Sequence, residues 1–469
     1  MKAPSRQARK RPIVMALLAV LLPTAIICTA QALSPAANSA SPTPVPVNLE
    51  HAGTAQAAPA APQPWRNPLP AQAVQPLPAS FDLAAIESQA EQLTWGSRVP
   101  GIAMSIVQGG RILSARGYGV TDVSNPEPVD AHTVFRLASL SKAFAGTMAG
   151  LLVEDGTLRW DSRIVDYVPD FALNNPTATQ NLTVADVLSH RVGLPYNAFD
   201  RDVEANAEYH TLTRRLANAP LTCQPGDCYA YQNVAFSLIG DVVFAASGNF
   251  YEQAVDRRIL KPLGMNDASL GLHGIMGSTR WARPHVRSRN GWAALNPKPT
   301  YYRVAPAAGV NASAADMAQW LLAHTGHRTD VLSEPLLATL HAPLVNTPGE
   351  LRSGWRRQRL NAAGYALGWR VFDYRGHTVV FHAGAVQGYR GLLALIPERD
   401  MGISISWNGE SPLPSGLLPT IVDAALGLPG DGSWLDVNPL SPELLQAQRP
   451  AGAPLPSGIS SHRALTSPP

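Results

Sequence analysis

Strand-like alternation of apolar and polar positions occurs near both ends of the central part of the chain. Two runs at the first end, Gly101–Gln108 and Arg111–Gly119, are rich in branched and small apolar residues. Gly109 and Gly110 join them, and a Gly-Gly pair between two such runs is a good signal for a two-residue hairpin loop. The pattern therefore predicts a β-hairpin at the start of the domain.

Strand-like runs return in the last third of the chain. Turn residues at 374–376 and 397–400 separate them. The predicted strands are residues 365–373, 377–382, 391–396 and 402–407. A helix over residues 417–426 closes the pattern.

Helical periods dominate residues 140–320, and a short amphipathic helix is predicted at residues 81–94. Thr183 followed by Asp186 is typical of a helix start, because the side chain of each can bind the backbone N–H of the other. Residues 312–323 predict a further amphipathic helix. Strands that open and close a domain around a helical middle predict an α+β fold, an α/β sandwich. One antiparallel sheet would be formed by the N- and C-terminal parts of the domain, with helices around it and a mainly helical region inserted.

The two ends of the chain differ in composition from residues 81–428, which we assign to one domain. Residues 1–32 combine a basic start, an apolar run and the small-x-small sequence Ala30-Gln31-Ala32, as a cleaved signal peptide does. Left uncleaved, the apolar run would be a membrane anchor. In both cases the domain is expected outside the cytoplasm, periplasmic or secreted. The Ala/Pro-rich residues 33–80 and the Pro/Ser-rich residues 429–469 predict a disordered linker and a disordered tail.

The charge of the chain excludes one class of partner. The 469 residues carry a formal net charge of +3, and the first 32 contain five basic residues and no acid, so the remainder carries 3 − 5 = −2. A nearly neutral domain has no electrostatic footprint for nucleic acid. We expect no nucleic-acid partner, and a membrane partner only if the N-terminal segment is uncleaved. The oligomeric state stays open.

Two of the three cysteines, Cys223 and Cys228, stand close together in the sequence. In an oxidising compartment they could form a disulfide, and so short a loop would gain about 2 kcal/mol. A metal site is the alternative, although no second Cys or His pair stands at ligand spacing.

The candidate chemistry begins with the pattern Ser-x-x-Lys from Ser139 to Lys142. Residues three apart on a helix lie on one face, so the hydroxyl and the amine would meet. Serine becomes a nucleophile when a base removes its proton, and lysine becomes a base when burial lowers its pKa. A bare pattern of this kind is usually a solvated helix face. Lysine is scarce here, however, and no other lysine follows a serine by three: the others are at positions 2, 10, 261 and 298.

Two further motifs follow in order, Tyr231-Gln232-Asn233 and His382-Ala383-Gly384. Together with Ser-x-x-Lys they resemble the three motifs of the serine β-lactamase and penicillin-binding protein superfamily. The resemblance is to its class C-like branch, which contains class C β-lactamases, D,D-carboxypeptidases, D-amino-acid peptidases and esterases. Flanking segments agree, and the resemblance covers residues 80–427.

The resemblance implies acyl transfer at Ser139, with Lys142 and Tyr231 as the base and the acid. Asn233 would hold Lys142 and a substrate amide. The backbone N–H groups of Ser139 and Ala385 would form the oxyanion hole. A neighbouring lysine cation would lower the pKa of Tyr231, which at about 10 is too high for a good base. The substrate would be a small molecule or a cell-wall peptide, and neither a metal nor an organic cofactor is required.

The third motif departs from that of class C β-lactamases, which have lysine at the position of His382. Histidine, with an ordinary pKa of about 6.5, is largely neutral at pH 7 and binds a substrate carboxylate less well. Gly384 would leave room for a substrate along the strand edge. Arg390 and Asn408 are candidate carboxylate or amide contacts, or ordinary surface residues. The presence of His382 in place of lysine favours esterase or D-amino-acid peptidase activity.

Neighbouring residues compete for the same roles. Ser141 is adjacent to the lysine and points to another side of the helix. Tyr229 competes with Tyr231, although the x-Asn spacing selects Tyr231. His-x-Gly also occurs at His51, in the predicted linker, and at His324, at the end of a predicted helix.

The sequence thus favours an exported serine hydrolase that cleaves a small amide, peptide or ester through an acyl-Ser139 intermediate, as D,D-peptidases, D-aminopeptidases and esterases do. One rival is a class C-type β-lactamase. Another is a non-catalytic domain that binds β-lactams or cell-wall peptides and has no need of Lys142. A third is a membrane-tethered structural protein in which Tyr231 and Asn233 would have no catalytic function.

Overall fold

The fold is that of a computed structural model, which describes residues 73–352, 354–430 and 434–460. The helices, in chain order, are α1 Leu83–Gln92, α2 Ser141–Glu154, α3 Ile164–Tyr167, α4 Pro176–Asn181, α5 Val184–Leu188, α6 Asp200–Glu204, α7 Tyr209–Arg215, α8 Leu238–Ser247, α9 Tyr251–Val255, α10 Lys261–Leu263, α11 Gly271–Gly277, α12 Ala305–Ala308, α13 Ala314–His324, α14 Glu334–Leu340, α15 Gly354–Arg359, α16 Leu417–Leu426 and α17 Pro442–Gln448. The strands are β1 Gly101–Gln108, β2 Arg111–Gly119, β3 Phe135–Arg136, β4 Ser269–Leu270, β5 His285–Ser288, β6 Gly291–Ala294, β7 Val310–Ala312, β8 Val345–Asn346, β9 Leu360–Tyr365, β10 Arg370–Tyr374, β11 His377–Val386, β12 Tyr389–Ile396, β13 Met401–Trp407 and β14 Ser457–Ser460.

A large antiparallel sheet joins the two ends of the domain. Its strand order is β14-β2-β1-β13-β12-β11-β10-β9-β8. Within this sheet β1 pairs with the neighbouring β2 and with the distant β13, where Ile102 lies opposite Trp407. This confirms the predicted α+β fold, with a sheet built from both ends of the domain and the helical region inserted between them.

The two faces of the sheet pack against different helices because side chains alternate along each strand. On β1, Ile102, Met104 and Ile106 belong to a core that includes residues of α1 and α16. Ala103 and Val107 face the other way, into the larger core of the inserted helical region. Each large aliphatic side chain that is fully buried in this way stabilises the fold by about 1.5–3 kcal/mol.

Several local predictions are confirmed. The Gly109-Gly110 hairpin joins β1 and β2, and α1, α13 and α16 occupy the predicted segments. Thr183 and Asp186 form a capping box at the start of α5, as expected.

The single strand predicted over residues 365–373 is wrong. It is divided into β9 and β10 by a tight turn in which the N–H of Ala366 donates to the carbonyl oxygen of Trp369. Gly368, in this turn, has a φ of +85°, and a Cβ there would overlap the carbonyl oxygen of Lys142. The strand is therefore interrupted where the chain must pass close to α2.

The C-terminal residues differ from the expected disordered tail. Within residues 434–460, α17 lies against α1, and β14 pairs with β2 at the edge of the sheet. Leu435 and Val437 are buried in the core that contains residues of α1 and α16. Polar contacts add to this: Arg449 forms an ion pair with Glu91, and the side-chain amide of Gln92 donates to the carbonyl oxygen of Asn438.

The predicted linker also ends earlier than expected, since the N–H of Gln75 donates to the carbonyl oxygen of Glu398. The predicted signal peptide, residues 1–32, and linker residues 33–72, which include His51, lie outside the described residues. Among the helices described, none combines the length and the apolar character needed to cross a membrane.

Candidate active site

Helix α2 is the element around which the site is built. Residues 141–152 of this helix are all buried, as expected for a helix that is apolar on every side. A short 3₁₀ turn, Ala138–Leu140, precedes it and carries Ser139, which is partly exposed. The turn and the first residues of α2 place a serine at the surface of a cavity and a lysine beneath it.

The amine of Lys142 has no exposure to solvent and contacts three polar atoms. Its Nζ lies 2.7 Å from Oδ1 of Asn233, 3.1 Å from the carbonyl oxygen of Ala307 and 3.4 Å from Oγ of Ser139. Burial lowers the pKa of Lys142 well below its ordinary value, because the ammonium form loses its hydration. Burial therefore favours the neutral form of an amine that lies beside the serine hydroxyl.

The side chain of Tyr231 completes this group. Its hydroxyl is close enough to Ser139 for that side chain to act on its pKa, and its ring centroid lies 4.6 Å from Nζ of Lys142. Burial raises the pKa of Tyr231 well above its ordinary value. This is opposite to the lowering expected from a lysine cation, and the reason is that burial acts on both groups and disfavours the charged form of each.

Asn233 connects the lysine to a carboxylate. While Oδ1 of Asn233 faces Lys142, its Nδ2 donates to Oδ2 of Asp200 over 2.8 Å. Asp200 begins α6 directly after Phe199, which adopts a left-handed conformation with a φ of +64°. No motif in the sequence marks Asp200, so only the fold reveals this contact.

Gly384 lies where β11 passes the turn that carries Ser139. A Cβ at this position would overlap the carbonyl oxygen of Leu137 and lie 3.2 Å from the backbone nitrogen of Ser139. The expected role was room for a substrate, whereas the observed contact is with the protein backbone. Glycine is required here because it lets Ala385, the next residue of the strand, approach Ser139.

A cavity of about 550 Å³ opens in front of these residues. Its walls include five of the seven predicted site residues: Ser139, Tyr231, Asn233, Gly384 and Ala385. Lys142 lies below the wall, within reach of Ser139. From residue 382 onward β11 pairs with β12 only, so its other edge is open towards the cavity.

His382 is the predicted site residue that does not reach the cavity. Its side chain is fully buried, with Nδ1 donating to the carbonyl oxygen of Ala383 and Nε2 accepting from the hydroxyl of Tyr365. The Tyr365 hydroxyl accepts in turn from Nε2 of His190, whose Nδ1 accepts the N–H of Gln232. Burial lowers the pKa of both histidines well below the ordinary value. Through this chain of hydrogen bonds His382 supports Gln232, the residue after Tyr231, and it does not face the cavity.

A cation that the sequence analysis missed lies on the neighbouring strand. The guanidinium of Arg370, the first residue of β10, lies 5.6 Å from the ring centroid of Tyr231. Arg370 pairs with Glu350 and lies opposite Phe381, the residue before His382. An arginine on a strand has no sequence signal for such a role, because its position depends on the pairing of β10 with β11.

The competing residues have structural partners of their own. Ser141 donates to the carbonyl oxygen of Ala138, and His324 is buried against His341. Asn408 is buried and binds backbone carbonyl oxygens, whereas Arg390 lines the cavity.

Tyr229 lies behind the site, where its hydroxyl accepts from Arg370 over 3.4 Å. Cys223 and Cys228 form a disulfide just before this tyrosine. Within the described ranges, no group of three or more potential metal ligands is found.

Comparison with known proteins identifies the family. A family model described as Beta-lactamase matches residues 71–427, so the chain belongs to the beta-lactamase family. The chain is 26% identical to unguisins hydrolase ungD of Aspergillus violaceofuscus over 364 residues, which are 72% of this chain and 64% of the relative. It is 25% identical to protein flp of Staphylococcus aureus over 319 residues, 67% of this chain and 60% of that protein.

The similarity extends to a solved structure, the octameric penicillin-binding protein homologue from Pyrococcus abyssi. The TM-score is 0.67 at 23% identity, over 75% of this chain and 79% of that one. At this identity the likeness shows the shared fold. The chain spans less than two thirds of the length of the two curated relatives.

Proposed function

We propose that this protein is an exported serine hydrolase that cleaves a small amide, peptide or ester through an acyl-Ser139 intermediate. Membership of the beta-lactamase family supports a hydrolase. The observation that carries the proposal is a fully buried lysine amine 3.4 Å from a partly exposed serine hydroxyl. A non-catalytic binding domain has no use for this arrangement.

In the first step the neutral Nζ of Lys142 takes the proton of Ser139 as Oγ attacks the substrate carbonyl carbon. A C–O bond forms and the carbonyl oxygen becomes an oxyanion, for which the N–H groups of Ser139 and Ala385 are the proposed donors. Burial lowers the pKa of Lys142, which favours the neutral form that can act as the base.

In the second step the bond between the carbonyl carbon and the leaving atom breaks. Burial raises the pKa of Tyr231, so its hydroxyl keeps its proton and can donate it to the leaving nitrogen or oxygen. The ammonium of Lys142 returns a proton to Tyr231. Water then attacks the acyl carbon and gives up a proton to Lys142. As the bond between the acyl carbon and Oγ breaks, Lys142 returns that proton to Ser139 and the acid product leaves.

The substrate class is inferred from the cavity. About 550 Å³ suits a small molecule or a short peptide, which could lie along the open edge of β11. His382 supplies no cation at the position where class C β-lactamases have lysine, which disfavours β-lactams, while Arg390 in the cavity wall is the candidate contact for a peptide carboxylate. Esters, D-amino-acid peptides and cell-wall peptides are therefore the proposed substrates. The N-terminal segment and the disulfide support export.

The test is labelling with a fluorescent fluorophosphonate, followed by intact-mass measurement. Wild type should gain one adduct and Ser139→Ala none. Ser141→Ala is the matched control, because Ser141 binds backbone groups only, and it should label like wild type. Equal labelling of wild type and a folded Ser139→Ala protein would overturn the proposal.

A substrate panel then separates the candidate activities. It should compare p-nitrophenyl esters, D-Ala-D-Ala peptides and a chromogenic cephalosporin. Turnover of the cephalosporin above that of the esters would identify a class C-type β-lactamase instead. A single acylation without turnover of any compound would indicate a binding domain.

A further inference from the structure

Two residues of opposite charge flank Lys142, and neither belongs to the three sequence motifs. Asp200 approaches from α6, and Arg370 approaches from β10 on another side. Arg370 is 9% exposed, and Asp200 is partly buried in the wall of the cavity. Charges in such places act strongly on their neighbours because little water screens them.

Asp200 acts on Lys142 through one side chain. The amide of Asn233 has a donor end and an acceptor end, and the carboxylate of Asp200 binds the donor end over 2.8 Å. The acceptor end must then face Lys142, whose Nζ lies 2.7 Å away. A carboxylate at this point removes the choice between the two orientations of the amide.

Arg370 brings a positive charge close to the same group. Its guanidinium lies 5.6 Å from the ring centroid of Tyr231 and 5.5 Å from that of Tyr365. Glu350 pairs with both Arg370 and Arg356, so this cluster of two cations and one anion keeps one positive charge. The cation that the third motif lacks is thus supplied near the site by the adjacent strand.

We propose that Asp200 and Arg370 are positioning residues that together set the protonation state of Lys142. Asp200 does so by orienting Asn233 and by its negative charge, and Arg370 by its positive charge. The inference rests on the proposed function, since it concerns the base of that reaction.

The other titratable groups around Lys142 are uncharged, so the protonation state of Lys142 depends on Asp200 and Arg370. Tyr231, His190 and His382 surround the amine and are neutral, because burial raises the pKa of the tyrosine and lowers that of both histidines. The negative charge of Asp200 raises the pKa of Lys142, and the positive charge of Arg370 lowers it. Removing the charge of Asp200 and removing the charge of Arg370 should therefore shift the pH dependence of Ser139 labelling in opposite directions.

The experiment measures the rate constant of fluorophosphonate labelling between pH 5 and 9. Asp200→Asn keeps an oxygen that can accept from Asn233 and removes only the charge. The pKa of Lys142 should fall, so the acid limb of the profile should move to lower pH by about one unit. Asp200→Ala also removes the acceptor, and its rate should fall at every pH.

Arg370→Gln removes the opposite charge, so the acid limb should move to higher pH by about one unit. Arg370→Lys keeps the charge and should return the limb towards the wild-type position. Matched controls are Asp202→Asn, in the same helix as Asp200 and paired with Arg215, and Arg357→Gln on the exposed side of α15. Neither control should move the profile.

The outcomes separate the two proposals. Acid limbs that coincide with wild type in Asp200→Asn and Arg370→Gln, or that move in the same direction, would overturn the inference and leave the proposed function intact. Wild type that is unlabelled at every pH would overturn the proposed function itself. Should Arg370→Gln not fold, Asp200→Asn alone decides, since an unmoved limb in that variant contradicts the inference.

Discussion

Gly384 lies directly against the backbone of Leu137, just before the turn that carries Ser139, the proposed nucleophile. A Cβ would overlap the carbonyl oxygen of Leu137, so Gly384→Ala should push β11 away from Ser139. The proposed oxyanion donors would separate, and the labelling rate should fall by about 100-fold or more. Overpacking should also lower the free energy of unfolding by about 1–3 kcal/mol.

Fluorophosphonate labelling and thermal unfolding check this prediction together. Gly277→Ala is the control, because a Cβ there meets nothing within 4 Å. Labelling of Gly384→Ala at the wild-type rate would mean that the close approach of β11 is not needed.

The hydroxyl of Tyr231 should matter most when the leaving group needs a proton. In Tyr231→Phe, hydrolysis of an amide or alkyl ester should slow by about 10²–10⁴-fold, because a general acid is lost. A p-nitrophenyl ester, whose leaving group departs without a proton, should be affected far less. Steady-state rates on the two substrates give the comparison.

Tyr229→Phe is the matched control for that experiment. Its hydroxyl contacts Arg370 rather than Ser139, so both rates should stay within about threefold of wild type. Equal losses on both substrates in Tyr231→Phe would contradict the assignment of Tyr231 as the acid.

Acid should destabilise the fold through a buried histidine pair. Nδ1 of His324 lies 3.2 Å from Nε2 of His341, and burial lowers the pKa of His341 to about 3 and that of His324 well below its ordinary value. Both rings are neutral when folded, and both would bind a proton in the unfolded chain below about pH 6.5.

The unfolded state therefore binds more protons as the pH falls from about 6.5 towards 3, and stability is lost in this window at up to about 1.4 kcal/mol per pH unit for each ring. Urea unfolding at pH 7 and pH 5 measures the loss. His341→Asn should flatten the dependence, and the exposed His273→Asn should not. Identical slopes in wild type and His341→Asn would contradict the prediction.

Loss of the disulfide should reduce stability more than activity. Replacing Cys223 and Cys228 together by serine removes a short loop constraint and should lower the free energy of unfolding by about 2 kcal/mol. The loop keeps backbone hydrogen bonds, such as Thr222 N–H to Gly193 and Gly226 N–H to Arg191. Turnover should therefore fall only a few-fold, and a larger loss would mean that the disulfide itself holds Tyr231 in place.

Local patterns predicted those parts of the molecule in which neighbouring residues decide the structure. The β1–β2 hairpin depends on Gly109 and Gly110, and the start of α5 depends on Thr183 and Asp186. The three motifs, through their resemblance to a known family, gave a group of residues of which all except His382 meet at one cavity. The contacts of the hairpin and of the helix start lie within a few residues, whereas those between the motifs are made by the fold.

The remaining features depend on partners that are distant in the sequence. The turn at Gly368 exists because α2 lies beneath it, and β14 is ordered by its pairing with β2. The inward direction of His382 depends on Tyr365, and the approach of Asp200 depends on the left-handed Phe199. No periodicity or spacing encodes these long-range contacts.

The pairing of Ile102 with Trp407 has a consequence for biogenesis. Strand β1 acquires its second neighbour, β13, only after almost the whole domain has been synthesised, and such non-local pairing slows folding. Strand β11, which carries Ala385, also belongs to the part of the domain that is synthesised last. Nascent chains that stop before it would therefore be inert, and recovery of catalysis during refolding should coincide with the final, slowest kinetic phase.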